Sequence, residues 1–129
     1  MTTDGLAEAL FDWLDSDQTL TGGWYPLRLP DGVTLPAGTY QRISGQAPLT
    51  HSGGLASRTR RYQLSIFSER YLEGLAAARD LIAALNGVRD TWDGWDVTAY
   101  IADEAEDIDR ADRGLFRQRV DVMITSEAP

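Results

Sequence analysis

The amino-acid sequence predicts an α+β fold: an antiparallel four-stranded sheet with two helices packed on one face, in the order α-β-β-α-β-β. Three observations predict it. Two runs carry apolar residues at helical spacing, three shorter runs alternate apolar with polar residues and a fourth, Thr39–Gly45, reads as a strand, and the stretches between them are rich in Gly, Pro, Ser, Thr or Asp. A chain of 129 residues, 43% hydrophobic and 25% charged, has the size and composition of one globular domain with one core. Residues 1–129 are therefore expected to fold as a single domain.

Thr2, Thr3 and Asp4 are helix-capping residue types, and Leu6, Ala7, Leu10, Phe11 and Leu14 follow at helical intervals. This predicts an amphipathic helix over about 4–15. Gly22, Gly23, Pro26, Pro30, Gly32 and Pro36 punctuate the next stretch, so about 15–38 is expected to be a long loop. Its Trp24, Tyr25, Leu27, Leu29 and Val33 supply contacts to offset the entropy of ordering it. Thr39–Gly45 predicts the first strand, with Tyr40 and Ile43 as its apolar members, and a Gly-, Ser- and Thr-rich loop follows at about 46–57. In the second strand, Arg58–Ser68, Tyr62, Leu64 and Ile66 alternate with Arg61, Gln63 and Ser65. Tyr71–Asn86 carries Leu72, Leu75, Ala76, Ala78, Ile82 and Leu85 at helical spacing and ends at Asn86-Gly87, a natural helix stop. After the turn Trp92-Asp93-Gly94, Trp95, Val97, Ala99 and Ile101 mark a third strand. Phe116, Gln118, Val120, Val122 and Ile124 mark a fourth, which is expected to pair antiparallel with the third. Asp103–Gly114 then reads as an acidic hairpin tip.

Composition removes several function classes. The longest apolar-rich stretch, Leu72–Leu85, is broken by Glu73, Arg79 and Asp80, well short of the roughly 20 apolar residues that span a bilayer. No membrane partner is expected. Met1–Leu10 has Asp4 and Glu8 where a signal peptide carries basic residues, so synthesis and residence in a cytoplasm are expected. The chain has no cysteine, which removes disulfides, thiolate catalysis and cysteine-ligated zinc together. Twenty acidic against twelve basic residues give a net charge of −8, which opposes gripping of a phosphate backbone but not a surface past which DNA slides.

Asp103, Glu104, Glu106, Asp107, Asp109 and Asp112 form the obvious candidate for a cation site. A calcium loop starting at Asp107 fails, because Ala111 and Asp112 stand where the fifth ligand and the glycine belong. A solvated hairpin tip or a subunit contact fits the cluster better. His51, the one histidine, lies in a Gly-, Ser- and Thr-rich loop with no Gly-x-Ser-x-Gly near it, and the chain has no lysine for a phosphate loop. Neither a catalytic set nor a cofactor is expected, and the protein reads as non-enzymatic. Arg58, Arg60 and Arg61 make the one dense basic patch, which reads first as a solvated strand start, then as a set suited to pairing with carboxylates of another subunit, and last as a nucleic-acid contact. Trp13 lies off the apolar stripe of its helix and Trp24 lies in a loop, so both are interface candidates, whereas Trp95 falls on the buried phase of its strand.

The helix Leu6–Leu14 with its punctuated loop, Pro36-Ala37-Gly38-Thr39-Tyr40 opening a strand, Arg61–Ser68 leading to an Ala-rich helix, Gly94-Trp95-Asp96 and the closing Phe116–Ile124 strand together resemble the tail terminator, or tail completion, proteins of long-tailed phages. The resemblance covers most of the chain and rests on element order, spacing and size; the alternative readings are a head-completion or connector adaptor protein and, after it, a small-ligand-binding α+β domain. It implies a homo-oligomeric ring, generally a hexamer, that caps the tail tube, stops its polymerisation and presents a surface to the head connector. The implied partners are further copies of the chain, the major tail tube protein and a head-completion protein, with DNA only as passing cargo. The implied location is the head-tail junction of a virion, with Asp103–Asp112 facing the lumen or a neighbouring ring.

Overall fold

The computed structural model describes residues 5–17, 20–46, 57–109 and 114–127. Along the chain these form α1 (Gly5–Asp17), β1 (Trp24–Pro26), β2 (Ala37–Gln46), β3 (Ser57–Ser68), α2 (Tyr71–Leu85), β4 (Val88–Trp92), β5 (Trp95–Asp109) and β6 (Leu115–Glu127). The strands make a six-stranded sheet in the order β1-β2-β3-β6-β5-β4. β1 runs parallel to β2 and every other pairing is antiparallel.

The expected antiparallel four-stranded sheet in the order α-β-β-α-β-β is thereby corrected: the sheet is mixed, and each of its edges carries an extra short strand. Both additions lack an alternating pattern. β1 is three residues long and lies between glycines and prolines, while β4 exposes Arg89, Asp90 and Thr91 in succession before burying Trp92. The signal for β4 lies in its turn. Asp93 at φ 50° and Gly94 at φ 85° close a two-residue hairpin of the kind whose twist suits paired strands, and Asp-Gly is its favoured sequence.

The helices build the core by their spacing. Leu6, Ala9, Leu10, Trp13 and Leu14 of α1 are buried, as are Gly74, Ala78, Leu81 and Leu85 of α2, each set recurring every three or four residues. They join Tyr62, Leu64 and Ile66 of β3, Val120, Val122 and Ile124 of β6, and Val97 and Ala99 of β5 in one apolar cluster. Each large aliphatic side chain buried there is worth about 1.5–3 kcal/mol. α2 crosses β3, β5 and β6, whereas α1 touches β1 and β4, the two outermost strands, so the sheet curls around it. Two glycines allow close approaches that a side chain would block: the Trp24 ring lies over Gly38, and Ser68 lies against Gly74.

On the opposite face of the sheet, Leu29, Ala37, Phe67 and Leu115 form a second cluster with Tyr25, Val33 and Leu35 packed against it. The stretch after β1 is thus held down by apolar contacts, as its sticky residues suggest. Two bulges interrupt the sheet, between Arg42 and Ser44 in β2 and between Ile101 and Asp103 in β5. Each re-aims the half strand that follows it.

Candidate functional site

The alternation of β3, β5 and β6 sorts their side chains onto a helix-covered face and an open face. On the open face Arg61 Nε and Nη2 donate to Asp121 Oδ2 at 2.9 and 2.6 Å. Directly across the last hairpin, Arg117 forks onto Asp107, with Nε to Oδ1 at 2.8 Å and Nη2 to Oδ2 at 2.6 Å. Arg119 Nε stands 3.9 Å from the same carboxylate. Hydrogen bonds from Arg117 hold the Asp107 carboxyl below its usual pKa, helped by the charges of Arg117 and Arg119 and opposed by partial burial.

The basic patch therefore divides. Arg61 is committed to Asp121 within its own chain, and Arg60 is buried, 8% exposed. Arg58 stands opposite Ser126, with its side chain outside the described residues. The two tryptophan interface candidates are core residues. Trp13 stacks on Trp92 with ring centroids 5.3 Å apart and an interplanar angle of 25°, and Trp24 is 4% exposed. For Trp13 the hidden reason is β4: its stacking partner belongs to a strand with no periodic signal.

The acidic run is ordered differently from a hairpin tip. Asp103, Glu104, Glu106, Asp107 and Asp109 all lie within β5, paired in register with Asp121, Val120, Gln118, Arg117 and Leu115 of β6. Asp112 lies outside the described residues, as does His51. Among the described residues no group of three or more His, Asp or Glu is placed to hold a metal ion, and no helix is long and apolar enough to cross a membrane.

On the helix-covered face, Glu104 and Glu106 border a cleft of about 290 Å³ whose other wall is Leu75, Arg79 and Ile82 of α2. Gln118 lies at the same cleft, its Nε2 buried without a hydrogen-bond partner. Tyr71 Oη donates to Glu106 at 2.9 Å, and that hydrogen bond, with partial burial and the carboxylate's charge, raises the Tyr71 pKa against the lowering influence of Arg79. Tyr71 also meets Phe116 edge to face. Leu72, next in the chain to Tyr71, and Ile108, paired in register with Phe116, are exposed.

A second acidic feature went unread in the sequence. Asp12 of α1 shares a hydrogen bond with Asp93 of the β4–β5 turn, which raises the Asp12 pKa, with smaller contributions from burial and from the Asp93 charge. Only the β4–β5 hairpin brings the two carboxyls together, and nothing in their sequence separation announces it.

No family model matches the sequence, and no curated protein matches it. The fold is similar to that of a chain in a solved structure described as the virion of a native gene transfer agent particle. The TM-score is 0.70 with 14% identity, and the match covers 95% of this chain and 95% of that one. At such identity the likeness is one of fold.

Proposed function

We propose that the protein is a non-enzymatic structural component of a phage-like virion, forming a ring that caps the tail tube, ends its polymerisation and offers the tail-side surface for head-tail joining. The observation that supports it most is the fold likeness to a virion chain, because it spans 95% of both chains and so leaves little of either outside the common architecture. The resemblance in element order to tail terminators points the same way.

Stopping a polymer needs one surface that matches the last ring of the tube and another that cannot recruit a further tube subunit. A chain with a net charge of −8, and with carboxylates gathered along β5, suits a passage through which a duplex moves without being held. In this reading Asp103–Asp109 borders that passage or a neighbouring ring, and the tube protein and a head-completion protein dock on the two ring faces.

Deletion of the gene is expected to yield heads together with tails of uncontrolled length, measured by electron microscopy. Tails of normal length in the deletion strain exclude the capping role. Normal tails on particles that lose DNA would place the protein on the head side of the junction.

A further inference from the structure

We propose that copies of this chain join edge to edge into a continuous antiparallel sheet, with the outer half of β5 taking the outer half of β2 from a second copy. This deepens the ring reading above by naming the surfaces that would close it.

Each edge of the sheet is half covered. β4 pairs with β5 only as far as Ala99, and β1 pairs with β2 only at Gly38–Tyr40. Among the described residues, nothing pairs with the outer side of Ala102–Asp109 in β5 or of Gln41–Gln46 in β2. Such half strands are ready templates for another strand.

Hydrogen-bond phase shows which backbone groups point outward. Ala99 C=O accepts from Gly87 N–H at 2.9 Å, and Ile101 N–H donates to Asn86 Oδ1 at 3.0 Å, so these residues face away from β6. After the bulge at Ala102, the same phase falls on Glu104, whose N–H donates to Asp103 Oδ1 at 2.9 Å, and then on Glu106 and Ile108. In β2, Gly38 N–H donates to Gly23 C=O at 2.9 Å and Tyr40 C=O accepts from Leu27 N–H at 3.0 Å. The next residue in that phase is Arg42.

Direction and charge then choose the pairing. β2 is antiparallel to β3, β3 to β6 and β6 to β5, so a second copy placed beside the first presents its β2 antiparallel to β5 without being turned over. β4 fills the space beside the near half of β5, and the second copy's β1 fills the space beside the far half of its own β2, so the two half-covered edges interlock. Arg42 pairs with Tyr62, and Glu104 and Glu106 pair with Val120 and Gln118, all on the helix-covered face. In the joined sheet Arg42 therefore stands beside Glu104 and Glu106 on one face, an opposite-charge cross-strand contact. Pairing two β5 edges would instead set glutamates against glutamates, which disfavours a two-fold dimer and favours a head-to-tail contact.

The test uses the full-length protein. Because the Glu106 N–H points away from β6, Glu106→Pro removes no bond from the chain's own sheet but blocks an added strand. Glu106→Pro and Arg42→Glu are each expected to weaken self-association on the order of tenfold or more by analytical ultracentrifugation, with unchanged circular dichroism. Combining Arg42→Glu with Glu104→Arg and Glu106→Arg is expected to restore it. Arg42→Cys with Glu104→Cys, in a chain with no other cysteine, is expected to give disulfide-linked multimers on a non-reducing gel. Wild-type assembly by the Glu106→Pro protein overturns the proposal, as does a wild type that stays monomeric both alone and with purified tail tubes. The capping role is judged separately. Glu106→Pro protein that assembles and restores normal tails to the deletion strain removes the edge pairing alone, whereas normal tails without the gene remove capping alone.

Discussion

The two halves of β5 are one strand with two kinds of surface. From Trp95 to Ile101 its helix-facing positions are Val97, Ala99 and Ile101, the first two buried, and β4 covers the outer edge through Ala99. From Asp103 to Asp109 the corresponding positions are Glu104, Glu106 and Ile108, all exposed, and no described strand covers the edge. Both halves pair with β6, which is itself held by β3 along its whole length. The difference teaches that apolar alternation reports burial of a strand's face and not the presence of the strand.

The largest contrast is expected when apolar and charged side chains are exchanged at matching helix-facing positions, one in each half. Val97→Asp puts an unpaired carboxylate among the core residues and is expected to cost about 4 kcal/mol or more in urea unfolding, or to prevent folding. Glu104→Val, in the open half, is expected to stay within about 0.5 kcal/mol of wild type. Similar losses at the two positions would mean that both halves depend on a buried face.

The same contrast explains what was legible in the sequence. Both helices and the strands β3 and β6 announce themselves because their buried residues recur with the right period: Leu6, Leu10 and Leu14, or Val120, Val122 and Ile124. β2 is marked without that period, since Ala37, Gly38 and Thr39 are buried in succession and Ile43 is exposed. β5 announces only its first half. Its second half looks like an acidic turn because pairing with Phe116–Val120 imposes the strand, and that partner lies across a turn the sequence does not locate. β1 and β4 were missed for the same reason, each owing its strand geometry to a neighbour. Asp93-Gly94 between Trp92 and Trp95 is the one local sign of β4, and taking that turn as a hairpin, with a strand before it as well as the one after it, also moves Trp13 from an interface to a stacked core pair. Of the site residues, the carboxylates of β5 were legible as a cluster, but which face each would take was not, because the bulge after Ile101 shifts the alternation by one residue.

A smaller effect sharpens how the open half is held. Across the open face it is tied to β6 by the fork between Asp107 and Arg117, whose side chains are 37% and 30% exposed, with Arg119 Nε 3.9 Å from the same carboxylate, so solvent screening limits the worth of the tie. Arg117→Ala is expected to cost no more than about 1 kcal/mol, with amide exchange quickening in Asp103–Asp109 and not in Trp95–Ile101. A loss spread equally over both halves would show that β5 opens as a unit.

The least of these effects is a pH dependence. The Asp107 carboxyl titrates below its unfolded value because Arg117 donates two hydrogen bonds to its charged form. A group with a lowered folded pKa adds stability that is fully present above the unfolded value, about 3.9 for Asp, and is lost as pH falls through the folded value. Asp12, its pKa raised by the hydrogen bond shared with Asp93, acts in the opposite sense: its contribution is present below the unfolded value and lost as pH rises through the folded one. Acidification should therefore loosen the open half of β5 while favouring the contact between α1 and the β4–β5 turn. Asp107→Asn is expected to melt no more than about 4 °C below wild type near neutral pH, with the gap closing as pH drops below about 4. Asp12→Asn should show the opposite trend, with wild type gaining stability relative to the variant as pH falls. A gap for Asp107→Asn that stayed constant through the acid range would mean that the fork contributes through shape alone, and that the open half of β5 is held to β6 by its backbone pairing with no electrostatic part.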